Sequence, residues 1–174
     1  SRGKGLLFEN PRFDPAQPQV HVFNPDYEKH GWQSTHAAVE ILHPDIPFLV
    51  DSVRMELSRR GYSIHTLQNS VFKVRRNAKG ELQELFPRGS DQPDAQLEAL
   101  MFLEIDRCAS TAAQHNLEKA LHEVLGDVRL AVADFEAIKH KAHSLLDGMH
   151  KSKARSKAHD AADQEEIKGF LAWL

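Results

Sequence analysis

The chain has 174 residues, 41% of them hydrophobic, with a formal net charge of -3 and an isoelectric point of about 6.4. That is enough apolar material for one core of ordinary size, and the mild acidity gives no general pull toward nucleic acid or an anionic membrane surface. The sequence lacks the roughly 18 consecutive apolar residues of a membrane helix and the basic, apolar and small-residue order of a signal peptide. A single cysteine, Cys108, excludes an internal disulfide or a CxxC metal knuckle. These features predict a soluble, cytoplasmic protein with no nucleic-acid or membrane partner, in which Cys108 is a small hydrophobe near a strand end.

Residues 1–18 carry three of the eight prolines and read as an extended arm. QVHVF, 19–23, alternates apolar and polar residues between Pro18 and Pro25, which suits a short edge strand. NPDYEKHGW is a turn-rich connection into a strand at 35–42. There Ala37, Val39 and Ile41 share one face, and His36, Ala38, Glu40 and Leu42 the other. His43, Pro44 and Asp45 make a turn, and Pro47 has the φ of a helix's first turn. Leu49, Val50, Val53 and Leu57 then recur at helical spacing. Arg59 and Arg60 complement the negative end of that helix, and Gly61 supplies a left-handed stop. From Tyr62 to Arg75 the period becomes two, and a turn at Asn77 to Gly80 leads a hairpin through ELQELF.

PRGSDQPDAQ, 87–96, is a polar loop, and LEALMFLEID after it is the most apolar run, predicting a central strand. Ser110 or Thr111 caps the next helix. Leu117, Leu121, Val124, Val128, Val132, Phe135, Ile138, Ala142, Leu145 and Met149 form a helical stripe about forty residues long. A break at Gly126 with VRLAV, 128–132, as a strand is the competing reading. HKSKARSKAHDAADQEE, 150–166, is a linker or a solvated helix, and IKGFLAWL begins a further element. The missing initiator methionine and the apolar FLAWL predict an excised fragment.

This order predicts an α+β sandwich, with helices on one face of a mostly antiparallel sheet and a long C-terminal helix. The expected organisation is an arm (1–18), a domain (19–149), and a linker with the start of a following element (150–174). On the sheet face away from the helices the pattern places Ala38, Leu42, Leu67, Val71 and alternate residues of 99–105. The long helix, the arm or a second copy must bury them, so homo-oligomer formation is expected.

His43 to Ile64 resembles the ACT module, a ferredoxin-like sandwich: a loop with Asp and Pro, an apolar helix, then RRGYSI in place of the module's glycine and following strand. GWQSTHAAVEILHPDIPFLVDSVRMELSRRGYSIHTLQNSVFKVRRNAKGELQEL, with EIDR and FLAWL, resembles more narrowly the amino-terminal region of the large bacterial NAD-dependent glutamate dehydrogenases, over residues 30–174. That resemblance implies a parent oxidoreductase that converts L-glutamate, NAD and water to 2-oxoglutarate, ammonia and NADH in a separate, much later domain. This stretch has no GxGxxG after a strand and no lysine in a glycine-rich loop. It is therefore expected to hold no catalytic residue, metal or cofactor, NAD belonging to the parent. Its role would be regulation or assembly alongside other domains of the same polypeptide.

The resemblance also implies an amino-acid effector site at the loop before the first helix, made of His43, Asp45, Pro47, Phe48, Asp51 and Ser52. Phe48 stands where the module has a glycine. Its ring fills the space a ligand would use, so packing is its competing role. Capping and first-turn dipole pairing are the plainer roles of the polar residues. His36, His43 and His65, with Asp45 and Asp51, raise a metal reading that opposite strand faces argue against. Lys73, Arg75, Arg76 and Lys79 make a basic hairpin end. Base stacking there would need exposed aromatics such as Phe72 and Phe102.

Overall fold

The computed structural model describes residues 12–87 and 89–152. Five strands, β1 (Gln19–Phe23), β2 (Ala37–Pro44), β3 (Ile64–Arg76), β4 (Leu82–Phe86) and β5 (Gln96–Ile105), form one sheet in the order β1-β2-β5-β3-β4. Every pairing in it is antiparallel. The helices are α1 (Tyr27–His30), α2 (Leu49–Arg59) and α3 (Thr111–Ser152). The chain divides into two units at Arg129 and Leu130. The sheet belongs to the first, and the described residues of the second belong to α3. Residues 1–11 of the arm and 153–174 lie outside the described residues.

The sequence of β2, α2, β3, β5 and α3 is the ferredoxin-like core, with β4 a hairpin extension of β3 and β1 on the edge beside β2. LEALMFLEID does take the central position, between β2 and β3. Leu49, Val53 and Leu57 of α2 and Leu117, Leu121 and Leu125 of α3 bury on the face formed by Val39, Ile41, Met101, Leu103 and Ile105. Each such side chain contributes on the order of 1.5–3 kcal/mol. Ser110 caps α3 by accepting the Ala113 N–H at 3.1 Å, and residues 128–132 are helical, which disposes of the strand reading at Gly126. The edge of β1 is covered where the Val22 N–H donates to Glu118 Oε1 at 2.8 Å.

Register corrects the expected assignment of faces. Leu67 pairs with Leu103 and Val71 with Ala99, and these four lie on the helix side with the main core. Only Ala38 and Leu42 of the named set face away. A bulge between Ile64 and Thr66 sets this phase, which strict alternation along one strand cannot reveal.

The far face is partly covered by the arm. Phe13, 1% exposed, packs with Leu42, Leu82 and Leu100. The described part of the arm is held at two points: the Phe13 N–H donates to the Gly80 carbonyl at 2.9 Å, and Arg129 donates to the carbonyls of Pro15 and Ala16. A Cβ on Gly80, at φ 77°, would collide with the Phe13 carbonyl oxygen, so glycine is required there for both reasons. Beside Phe13, Arg76 makes a bidentate pair with Glu98 at 2.6 and 2.7 Å, with side chains 3% and 1% exposed.

Candidate functional site

The loop from β2 into α2 is built by three local decisions. Asp45 still bonds to the sheet, its N–H reaching the Leu97 carbonyl at 2.9 Å. Ile46 turns inward against the main core. Pro47 precedes the helix instead of starting it, and the chain enters α2 through Phe48 at φ 64° and ψ 3°. That is the left-handed region, which a bulky residue adopts only under strain. No side chain caps the helix there, and the first turn closes with the Ser52 N–H on the Phe48 carbonyl at 3.0 Å.

Phe48 is 70% exposed, so its ring does not perform the packing role expected of it within this chain. Its backbone nevertheless takes the left-handed conformation that favours glycine. Asp51 and Ser52 line a groove of about 1010 Å³ with Met55, Arg59, Tyr62 and Val124, along α2 and α3. Met55 is 72% exposed at its edge. The groove's charge is largely settled internally: Glu56 accepts from Arg59 at 2.8 and 2.9 Å and from Arg60 at 2.6 Å. The Arg59 bond, ahead of opposing burial, holds the Glu56 carboxyl below its usual range.

The other candidates do not converge on that groove. Asp45, Pro47 and Phe48 are exposed before α2 and are not among its lining residues. His43 is turned into the core, fully buried. Its Nδ1–H donates to the Pro44 carbonyl at 2.7 Å, which leaves Nε2 as a bare acceptor that is buried without a partner among the described residues. Burial depresses its pKa, against a smaller opposing effect of the Pro44 carbonyl, and nearby Arg129 depresses it further. A neutral imidazole in that setting does not attract an anionic ligand.

His36 and His65 do meet, with ring centroids 4.1 Å apart, and His65 Nε2 lies 2.8 Å from Asp106 Oδ1. Asp106 also accepts the Ser63 N–H, which together with His65 holds its carboxyl down to about 2. His43 sits at the other end of β2, and among the described residues no three metal-ligating side chains converge. Cys108 is buried in the core, where burial pushes its thiol up and keeps it protonated.

The basic hairpin end is mostly consumed internally. Arg75 pairs with Glu84 at 3.0 Å and lies over the Phe86 ring, Lys73 donates to the Ser90 carbonyl at 2.6 Å, and Arg76 is buried on Glu98. Arg76 therefore does not belong to an exposed basic end. The missed signal was Glu98 itself, a lone carboxylate in the most apolar strand, which requires a buried cation. Phe72 and Phe102 are half-buried on the far face, where Trp32 lies 6.4 Å from Phe102.

An antiparallel sheet built around a β-α-β-β-α core, with its two longer helices packed from one side and a strained loop entering the first of them, defines an ACT-like domain. Residues 7–121 match the family model for the glutamate dehydrogenase ACT1 domain, and the chain belongs to that family. It is 61% identical over 163 residues to the NAD-specific glutamate dehydrogenase of Pseudomonas aeruginosa and 43% identical over 164 residues to that of Halomonas elongata. Each match covers 94% of this chain. A more distant relative, the NAD-specific glutamate dehydrogenase of Mycobacterium tuberculosis, is 27% identical over 79% of the chain. The chain spans about a tenth of the length of these relatives, 10%, 10% and 8%. Among the described residues no helix is long and apolar enough to cross a membrane.

Proposed function

We propose that the chain is a non-catalytic regulatory and assembly module of a cytoplasmic NAD-specific glutamate dehydrogenase. The parent polypeptide would convert L-glutamate, NAD and water to 2-oxoglutarate, ammonia and NADH in a domain outside this chain. The observation that carries this reading is the likeness to NAD-specific glutamate dehydrogenases, which takes in 94% of this chain but only 10% of the length of either of the two more similar relatives. The sheet supports it, because dinucleotides bind at the carboxyl ends of parallel strands and every pairing here is antiparallel. The test is to supply the isolated chain with glutamate and NAD and follow NADH by absorbance, with NAD binding measured by calorimetry. Absence of both is expected; turnover or tight NAD binding would overturn the reading.

A second reading, that the module senses an amino acid at the 43–52 loop, is favoured by the outward turn of Phe48. Its ring leaves an uncapped helix start beside Asp51 and Ser52, where N–H groups favour a carboxylate. Thermal melts against a panel of amino acids test it, since a ligand at a hundred times its Kd stabilises by roughly 2.7 kcal/mol. A shift with one amino acid that disappears in Asp51→Ala and Ser52→Ala supports sensing. A flat panel rejects it.

A further inference from the structure

Along α3, Leu117, Val124, Ala131, Ile138 and Leu145 recur every seven residues, and Leu121, Val128, Phe135 and Ala142 recur every seven residues between them. An apolar repeat at alternating steps of four and three, sustained over four heptads, is the seam of a coiled coil; a helix needing only a domain core does not keep that register. The first part of the seam has its partner: Leu117, Leu121 and Val128 are 1%, 0% and 9% exposed, the first two in the main core against the sheet. The later part has none among the described residues, with Phe135 46%, Ile138 61% and Leu145 61% exposed.

We propose that the seam from Ala131 to Leu145 is a self-association surface, through which two copies of the chain pair as a two-helix coiled coil. This deepens the assembly half of the reading above and rests on it. The charges beside the seam are self-complementary. Asp134 flanks one heptad and Lys139 and Lys141 flank the next. In a parallel pair Asp134 of each copy faces Lys139 of the other, the usual contact between neighbouring heptads. In an antiparallel pair centred between Phe135 and Ile138 it faces Lys141 of the other copy. Either orientation joins opposite charges twice across the two-fold axis.

Sedimentation of the 174-residue chain over a concentration series tests this. A reversible dimer is expected. Ile138→Asp should abolish it. Asp134→Lys should weaken it on the order of tenfold, by turning two attractive flanking pairs into repulsive ones. Adding Lys139→Asp to Asp134→Lys restores a parallel dimer, and adding Lys141→Asp restores an antiparallel one, so either rescue supports self-pairing. A chain that stays monomeric, a dimer that Ile138→Asp leaves intact, or rescue by neither second change overturns the proposal. Asp134 and Ile138 are exposed, so unchanged near-ultraviolet circular dichroism will show that the variants keep their fold. The absence of catalysis is assayed separately by NADH formation, so failure here leaves that half of the functional reading standing.

Discussion

Glu98→Ala should be among the most destabilising single changes available in this domain. Glu98 and Arg76 side chains are 1% and 3% exposed, and the two bonds between them, 2.6 and 2.7 Å, use both carboxylate oxygens. Removing the carboxylate leaves a guanidinium buried under the Phe13 ring, 5.3 Å from its centroid, with the Gly80 carbonyl at 2.9 Å as a remaining acceptor. Breaking a buried pair from one side costs about 3–5 kcal/mol, a large share of the roughly 5–15 kcal/mol that holds a domain together. At about 2–4 °C per kcal/mol the melting temperature should fall by roughly 6–20 °C. Replacing both partners by apolar residues, Arg76→Leu with Glu98→Leu, should cost far less than Glu98→Ala alone, because no charge is then left buried. A double-mutant cycle in urea isolates the coupling. A Glu98→Ala loss below about 1 kcal/mol, or a double variant as unstable as the single, would refute the argument that the pair acts as a buried unit.

Three further outcomes follow from the same geometry. His43 has a folded pKa below its ordinary 6.5, so the unfolded chain binds more protons; stability is complete above that value and declines as pH falls below it. His43→Leu should flatten that part of the pH-stability curve, and an unchanged slope below pH 6.5 would reject the assignment. Asp106 runs at a lower range: its pKa falls from 3.8 to about 2, so its contribution is present above 3.8 and disappears as pH drops toward 2. Asp106→Asn should remove that acid-limb contribution in urea titrations, and an identical acid limb would count against it. Phe48→Gly relieves a left-handed backbone at a side chain that buries little, and should stabilise by about 1 kcal/mol net of the unfolded-state entropy that glycine adds. A lower melting temperature for that variant would mean that the ring makes contacts worth more than the strain.

Most of the framework was legible in the sequence because it follows from periodicity. The seven-step stripe of α3, the Gly61 stop at φ 82° and the Asn77 to Gly80 hairpin turn all stand where local chemistry puts them. What was not legible depends on pairing between distant strands. No local feature of LQNSVF says that Leu67 and Val71 will share a face with Leu103 and Ala99; the bulge between Ile64 and Thr66 decides it. The four-residue α1 escaped because so short a helix has no apolar period, although its Asp26 cap and Gly31 end are visible afterwards. At the site, the adjacency of Asp51 and Ser52 was readable from helix spacing. The inward turn of His43 and the outward turn of Phe48 were not, because both depend on which face the core occupies.

The six residues from His43 to Phe48 concentrate departures that a fold selected for stability alone would remove. Among the described residues His43 buries an acceptor without a donor, Phe48 holds a left-handed backbone with a bulky side chain, and α2 begins without a capping side chain. Each costs on the order of 1 kcal/mol or more, and each has a simple remedy in sequence: an apolar residue, a glycine, a serine or aspartate. Elsewhere the same chain applies those remedies, with Ser110 capping α3, Asp26 capping α1 and Gly61 ending α2. The helix-start rules kept at α1 and α3 are broken together at this loop, the pattern expected of a segment shaped by more than the stability of its own domain. That favours contact or ligand binding at this loop, and it gives Phe48→Gly a second use. If the variant melts higher while a longer polypeptide carrying it fails to assemble or loses a response to an added amino acid, the forgone stability is the measure of what the loop does.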